Sequence, residues 1–163
     1  MALKQERFRE VINNCEHKIL NMCKKFSSKE KEQTDMYEKI LTNIWKSIDL
    51  HQENIEFNIW IYRIAVNSIM GFASKSIYQQ KIFLTNEGKY LCSFLNTNNI
   101  NSEELITVEK ELNRLSIIEK IITTLSFESL TSKDIALIIG ITEPGVKKKL
   151  EKIRVELTKG IKL

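Results

Sequence analysis

The stretch TSKDIALIIGITEPGVKKKLEKIRVEL, residues 131–157, places two short helical patterns around one glycine. Thr131 with Asp134 three residues later is a capping-box pattern that starts a helix. Ala136, Gly140 and Val146 stand where a helix-turn-helix needs them. The small residue lets two helices cross closely, the glycine supplies a left-handed turn, and the β-branched residue plugs the interface. Thr142 can cap the second helix, and Pro144 fits its first turn, where backbone N–H groups have no intrahelical partner. Val146, Leu150, Ile153 and Leu157 then fall on the core side, leaving Lys147, Lys148, Lys149, Lys152 and Arg154 for solvent. The second helix of such a motif enters the DNA major groove with its N-terminal residues near base edges, here Thr142, Glu143 and Gly145. It carries no glutamine or asparagine, and its one arginine lies past the first turn. Lysines suit phosphate contacts better than base readout. The plainer reading of the same residues is an αα-hairpin with a solvated lysine face.

Upstream, Leu112, Leu115, Ile118, Ile122 and Leu125 predict one helix in a C-terminal block that begins near Leu105. The run NTNNINSEE (96–104) reads as polar linker. IYQQKIFL (77–84) and KYLCSFL (89–95) fit a short helix or strands around the turn-like Asn86-Glu87-Gly88. Toward the N-terminus the pattern is more regular. Phe8, Val11, Ile12, Cys15, Ile19, Met22, Cys23 and Phe26 recur at steps of three and four, one face of an amphipathic helix. Ser27 with Glu30 predicts a capping box. A second helix spans about 34–48 with Met36, Ile40, Leu41, Ile44 and Trp45 on its stripe. KSIDLHQENIE (46–56) is loop-like. A third helix covers 57–72, with Trp60, Ile61, Ile64, Ala65 and Ile69 inward. The expected fold is all-α: two small helical domains, 1–75 and 109–163, joined by a flexible linker over 76–108.

The chain has 163 residues, 42% apolar and 28% charged, with one proline and five glycines, a composition for long helices with few tight turns. Its net charge of +4 is uneven: 12 basic and 10 acidic groups over 1–75, 3 and 5 over 76–111, and 10 and 6 over 112–163. A polyanion should therefore engage the C-terminal part most strongly. The N-terminus is charged and no apolar run approaches membrane-spanning length, so a cytoplasmic protein without membrane insertion is expected. Three cysteines without CxxC spacing fit reduced thiols. Cys15 and Cys23 lie on the apolar stripe and read as core thiols rather than metal ligands. With two histidines, no Gly-rich phosphate loop and no Ser-His-Asp pattern, no enzyme, metal or cofactor is expected.

Three segments in this order resemble the extracytoplasmic-function sigma factors of bacterial RNA polymerase. TDMYEKILTNIW (34–45) is similar to the family's polymerase-docking helix, FNIWIYRIAVN (57–67) to its promoter-opening helix, and DIALIIGITEPGVKKKLEKIR (134–154) to its promoter-reading helix-turn-helix. The resemblance implies core RNA polymerase as partner, through its β′ clamp and β flap, together with promoter DNA. It assigns Asp35, Glu38, Lys39, Ile40, Leu41 and Trp45 to polymerase and Trp60, Arg63, Asn67 and Lys75 to promoter opening. The family's loop that receives a flipped base falls on 47–56. Thr142, Glu143, Gly145, Lys147, Lys148, Lys149 and Lys152 fall to duplex binding.

The chain departs from the family pattern in places. Glu38-Lys39 stands where the family has Gln-Glu, and Gly71, Ser74 and Lys75 replace an acid and a basic pair. Ser116 replaces a proline, and Pro144-Gly145 a small polar pair. Thinned charge after Asn67 implies weak unaided promoter choice and a recruiter, an activator or a guided DNA-binding effector. An anti-sigma protein is the implied regulator. The alternative function is a helix-turn-helix transcriptional regulator whose N-terminal bundle binds a ligand or dimerises.

Overall fold

The computed structural model describes residues 1–51, 54–75 and 88–161, with side chains left out at 73–75 and 88–90. Every regular element among them is helical: α1 (Ala2–Phe26), α2 (Glu30–Ser47), a 3-10 turn (Ile48–Leu50), α3 (Phe57–Lys75), α4 (Gly88–Leu95), α5 (Ser102–Leu112), α6 (Ile117–Phe127), α7 (Ser132–Ile139) and α8 (Glu143–Thr158). The chain divides into two compact units, Met1–Gln79 and Gln80–Leu163.

In the first unit α1, α2 and α3 pack on one another. The α1 stripe is buried at Val11, Cys15, Ile19, Met22, Cys23 and Phe26, and α2 contributes Met36, Ile40 and Ile44. From α3, Ile61, Ala65 and Ile69 are buried as the spacing predicts, joined by Ile59, Tyr62 and Val66, while Trp60 and Ile64 stay half-buried. Burial pushes the Cys23 thiol up to about 11 and raises Cys15 as well, as apolar surroundings disfavour a thiolate. Tyr37 of α2 donates to the Glu16 carboxylate of α1 at 3.1 Å; burial first, and that bond second, raise its phenol to about 12.

The Ser27–Glu30 capping box does not form. Helix α2 starts at Glu30 with Lys29 as its uncapped flank. Buried Ser27 instead accepts from the Lys29 N–H at 3.1 Å and donates to Glu32 at 2.5 Å, making a tight turn between α1 and α2.

The second unit is built from shorter helices. The single helix expected through Leu112–Leu125 is two, because Ser116 accepts from the Glu119 N–H while Glu119 reaches back to the Ser116 N–H, a capping box that starts α6 anew. Asn101 and Glu104 do the same for α5. The interval 76–108, read as a linker, is helical in its second half. Leu91 and Leu95 of α4 are buried, and α4 packs on α6 and α8. Its run of 89–95 therefore belongs to the C-terminal unit, because Leu91 and Leu95, four residues apart, form one apolar edge of a helix that is buried there. IYQQKIFL and the turn at Asn86-Glu87 lie outside the described residues.

Candidate nucleic-acid interface

The 131–157 stretch forms the helix-turn-helix its residues specify. Thr131 caps α7 with Asp134 in a reciprocal box, Thr131 Oγ1 accepting from the Asp134 N–H at 3.1 Å. Gly140 ends α7 at φ 84°, and its N–H donates to the Ala136 carbonyl at 2.8 Å. A side chain is strained in that left-handed region. Thr142 Oγ1 accepts from the Gly145 N–H at 3.2 Å to start α8. A Cβ at 145 would lie 3.0 Å from that same oxygen. Val146, Ile153 and Leu157 are buried and Leu150 half-buried, anchoring α8 on α5, α6 and α7.

The solvent arc of α8 is less uniform than its sequence suggests. Lys147 pairs with Glu143 at 3.2 Å, and Lys152 reaches Glu119 of α6 at 3.8 Å. Lys148 is exposed, with no acid in ion-pair range among the described residues. Lys149 is half-buried. Burial tends to raise the Glu119 carboxyl, but bonds from the Ser116 N–H and hydroxyl, aided by Lys152 and Lys149, hold it below its usual value. An exposed pair such as Lys147–Glu143 is worth only about 0.2–1 kcal/mol, so a phosphate can draw Lys147 out of it. The expected solvent position of Arg154 is corrected: its Nε donates to the Phe94 carbonyl of α4 at 2.6 Å, and its guanidinium lies over the Phe94 ring.

In the first unit Asp35, Glu38 and Lys39 are exposed on α2 and Leu41 is half-buried. Ile40 is 0% exposed and packs inside the unit, so its assignment to a docking surface is corrected; a side chain without exposed area has nothing to offer a partner. Trp45 is half-covered by its own chain. The Phe8 ring stands edge-on at 5.2 Å, and Lys4, paired with Asp49 at 2.9 Å, lies 4.9 Å from the Trp45 ring.

On α3, Trp60 stacks on Phe57 at 5.6 Å, and His51 from the preceding loop lies 5.1 Å from it. The His51 Nε2 is 2.8 Å from the Ile55 carbonyl, which fixes the ring. Phe57 and His51 are the neighbours sequence reading did not assign to this face, although His51 lies within the loop it singled out and Phe57 follows directly on it. Arg63 is half-buried and Asn67 exposed. Lys75 ends α3, with its side chain outside the described residues. A groove between α2 and α3 is lined by Asp35, Lys39 and Asn43 of the one and by Asn67, Ser68, Gly71 and Phe72 of the other. Asn43 closes its floor, donating to Ser68 Oγ at 2.9 Å, which donates on to the Ile64 carbonyl at 2.7 Å. The groove gathers Asp35 and Lys39, assigned to polymerase, with Asn67, assigned to promoter opening.

No cluster of three or more His, Cys, Asp or Glu suited to a metal ion occurs among the described residues, and none of their helices is long and apolar enough to cross a membrane. The fold and interface define a two-unit, all-helical protein with a C-terminal helix-turn-helix. No family model and no curated protein matches the sequence. Solved structures do. The sigma factor RpoE in complex with the anti-sigma factor NepR from Bartonella quintana shares the fold at a TM-score of 0.69 and 17% identity, over 96% of this chain and 97% of that one. CnrH in complex with the cytosolic domain of CnrY matches at a TM-score of 0.61 and 15% identity, over 94% of this chain and 86% of that one. The chain has the fold of these proteins.

Proposed function

We propose that this chain is a divergent extracytoplasmic-function sigma factor, a cytoplasmic protein that binds core RNA polymerase and directs promoter-dependent initiation without chemistry of its own. The observation that carries this reading is a two-unit helical fold shared end to end with the sigma factor RpoE, with a capped helix-turn-helix in the second unit. The first unit docks on the β′ clamp through Asp35, Glu38, Lys39 and the exposed edge of Leu41 and Trp45. Trp60, Arg63, Asn67 and Lys75 act on the opened promoter, where unstacked bases favour aromatic and amide side chains. The second unit meets the β flap and sets Lys147, Lys148, Lys149 and Lys152 against duplex phosphates, near the α8 N-terminus with Thr142, Glu143 and Gly145. An anti-sigma protein is a natural regulator, since RpoE is held by NepR. Few bidentate base readers on α8 support a further recruiting protein.

Reconstitution tests the reading. Purified chain should co-elute with core polymerase and support initiation on a template carrying its promoter; failure of both ends the proposal. Asn67→Ala should reduce promoter opening more than polymerase binding, and equal loss of both would assign Asn67 to folding. Binding of core polymerase by the first unit separates this reading from a ligand-responsive regulator.

A further inference from the structure

Helix α4 has eight residues, well short of the length at which an isolated helix holds itself together in water. Its C-terminus is satisfied in two ways. Asn96 adopts a left-handed φ of 56°; its N–H donates to the Ser93 carbonyl at 3.3 Å, and the Thr97 N–H donates to the Cys92 carbonyl at 3.0 Å. That pair of bonds is a Schellman motif, and it accounts for the carbonyls of Cys92 and Ser93. The Phe94 carbonyl, the next along the chain, is taken from another helix, by Arg154 Nε at 2.6 Å. The same guanidinium lies 5.2 Å from the Phe94 ring centroid, and the ring stands edge-on to Phe127 of α6 at 5.7 Å. A cation at a helix C-terminus also meets the negative end of the macrodipole. Around this contact Leu91 and Leu95 are fully buried.

Arg154 is the one arginine of α8, seven residues from Lys147 and so close to the same helix face. While it caps α4 its Nε is withheld from any ligand of that face, and Nη1, one of its two terminal nitrogens, is engaged by Glu151. We propose that α4 is a latch on the helix-turn-helix unit. Closed, it is held by Arg154; opened, it releases Arg154 to a DNA phosphate and so strengthens duplex binding. The inference rests on the proposed DNA-binding role of α8. It requires no covalent step, only an exchange of one charge-assisted acceptor, a peptide carbonyl, for a stronger one, a phosphate oxygen.

The test uses the full chain and a generic 30-base-pair duplex, with hydrogen exchange and salt-dependent binding as readouts. Arg154→Gln should speed amide exchange across 91–97 at least several-fold without DNA, while α7 keeps its protection. In the unaltered chain, added duplex should protect α8 and speed exchange in α4. The slope of log affinity against log salt should be steeper than that of Arg154→Gln by about one. Unchanged α4 exchange in Arg154→Gln, or duplex that protects α4 along with α8, overturns the latch. The unaltered chain supplies that second readout even if the variant folds poorly. Duplex binding that Lys147→Gln, Lys148→Gln and Lys149→Gln together abolish supports the DNA-binding role independently of the latch. An unaltered chain that binds no duplex overturns that role and Arg154's release to DNA with it, while α4 exchange in Arg154→Gln still decides the cap.

Discussion

The two units solve the same problem, starting and holding helices, in different ways. The first uses length: α1, α2 and α3 have 25, 18 and 19 residues, and α1 and α2 begin at Met1 and Lys29 without a side-chain cap. Their stability comes from long apolar stripes buried against one another. The second uses punctuation. Helices α5, α6, α7 and α8, of 8 to 16 residues, begin at Asn101, Ser116, Thr131 and Thr142, each of which accepts a bond from its own helix. A short helix buries too little to offset the entropy of its first turn, so local bonds make up the difference. The contrast teaches that equal helix content can rest on different residues, and that the two units should fail by different substitutions.

Both tryptophans, Trp45 and Trp60, lie in the first unit, so their fluorescence reports on it while circular dichroism reports on both. The largest effect belongs to the buried stripe. Ile40→Ala or Ile44→Ala, each at a site with no exposed area, should cost about 2–5 kcal/mol and move the tryptophan unfolding transition to lower urea. A transition that stays in place would show the stripe is not what holds that unit. Next comes Gly140→Ala, where a side chain enters a left-handed turn at a cost of about 1–2 kcal/mol. The loss should appear in circular dichroism of the second unit and leave tryptophan emission unmoved.

Removing one cap, Thr131→Ala, should cost about 1 kcal/mol in the second unit. Ser27→Ala, at the turn where no N-cap forms, should instead act through Glu32 and register in the first. The smallest effect is acid sensitivity. The Glu119 carboxyl lies below its ordinary value in the folded chain, so the unfolded chain binds more protons in the window around and just under pH 4.5. Its contribution is present above that window and fades as pH falls through the folded value. Glu119→Gln should flatten this part of the second unit's acid unfolding curve. At the alkaline end the sign reverses for Cys23: with its thiol near 11, its contribution holds below pH 9 and falls away between 9 and 11. Cys23→Ser should make that slope shallower in the tryptophan signal, with Cys15 and Tyr37 supplying what remains.

The helix-turn-helix was legible because its signals are local. Thr131, Asp134, Gly140 and Thr142 act within one turn of where they sit, and spacing along the chain is spacing in space. The capping patterns N-x-x-E at 101–104 and S-x-x-E at 116–119 were equally local; the first marks a helix start inside a run read as linker, the second one that apolar periodicity ran through. The stripes of α1 and α2 were legible for a related reason, since burial follows a 3.6-residue period.

By itself, the sequence determined the three long helices of the first unit, where the turn of the second unit falls, and that lysines dominate α8. Tertiary structure decided what long side chains do once helices meet. It withdrew Ile40 from the surface, laid Phe8 and Lys4 on Trp45, set His51 and Phe57 beside Trp60, and turned Arg154 from solvent to the Phe94 carbonyl. A backbone period fixes the direction in which a side chain leaves its helix. Where a flexible arginine or a flat ring comes to rest depends on a neighbour supplied 60 residues away, and no local pattern encodes that neighbour.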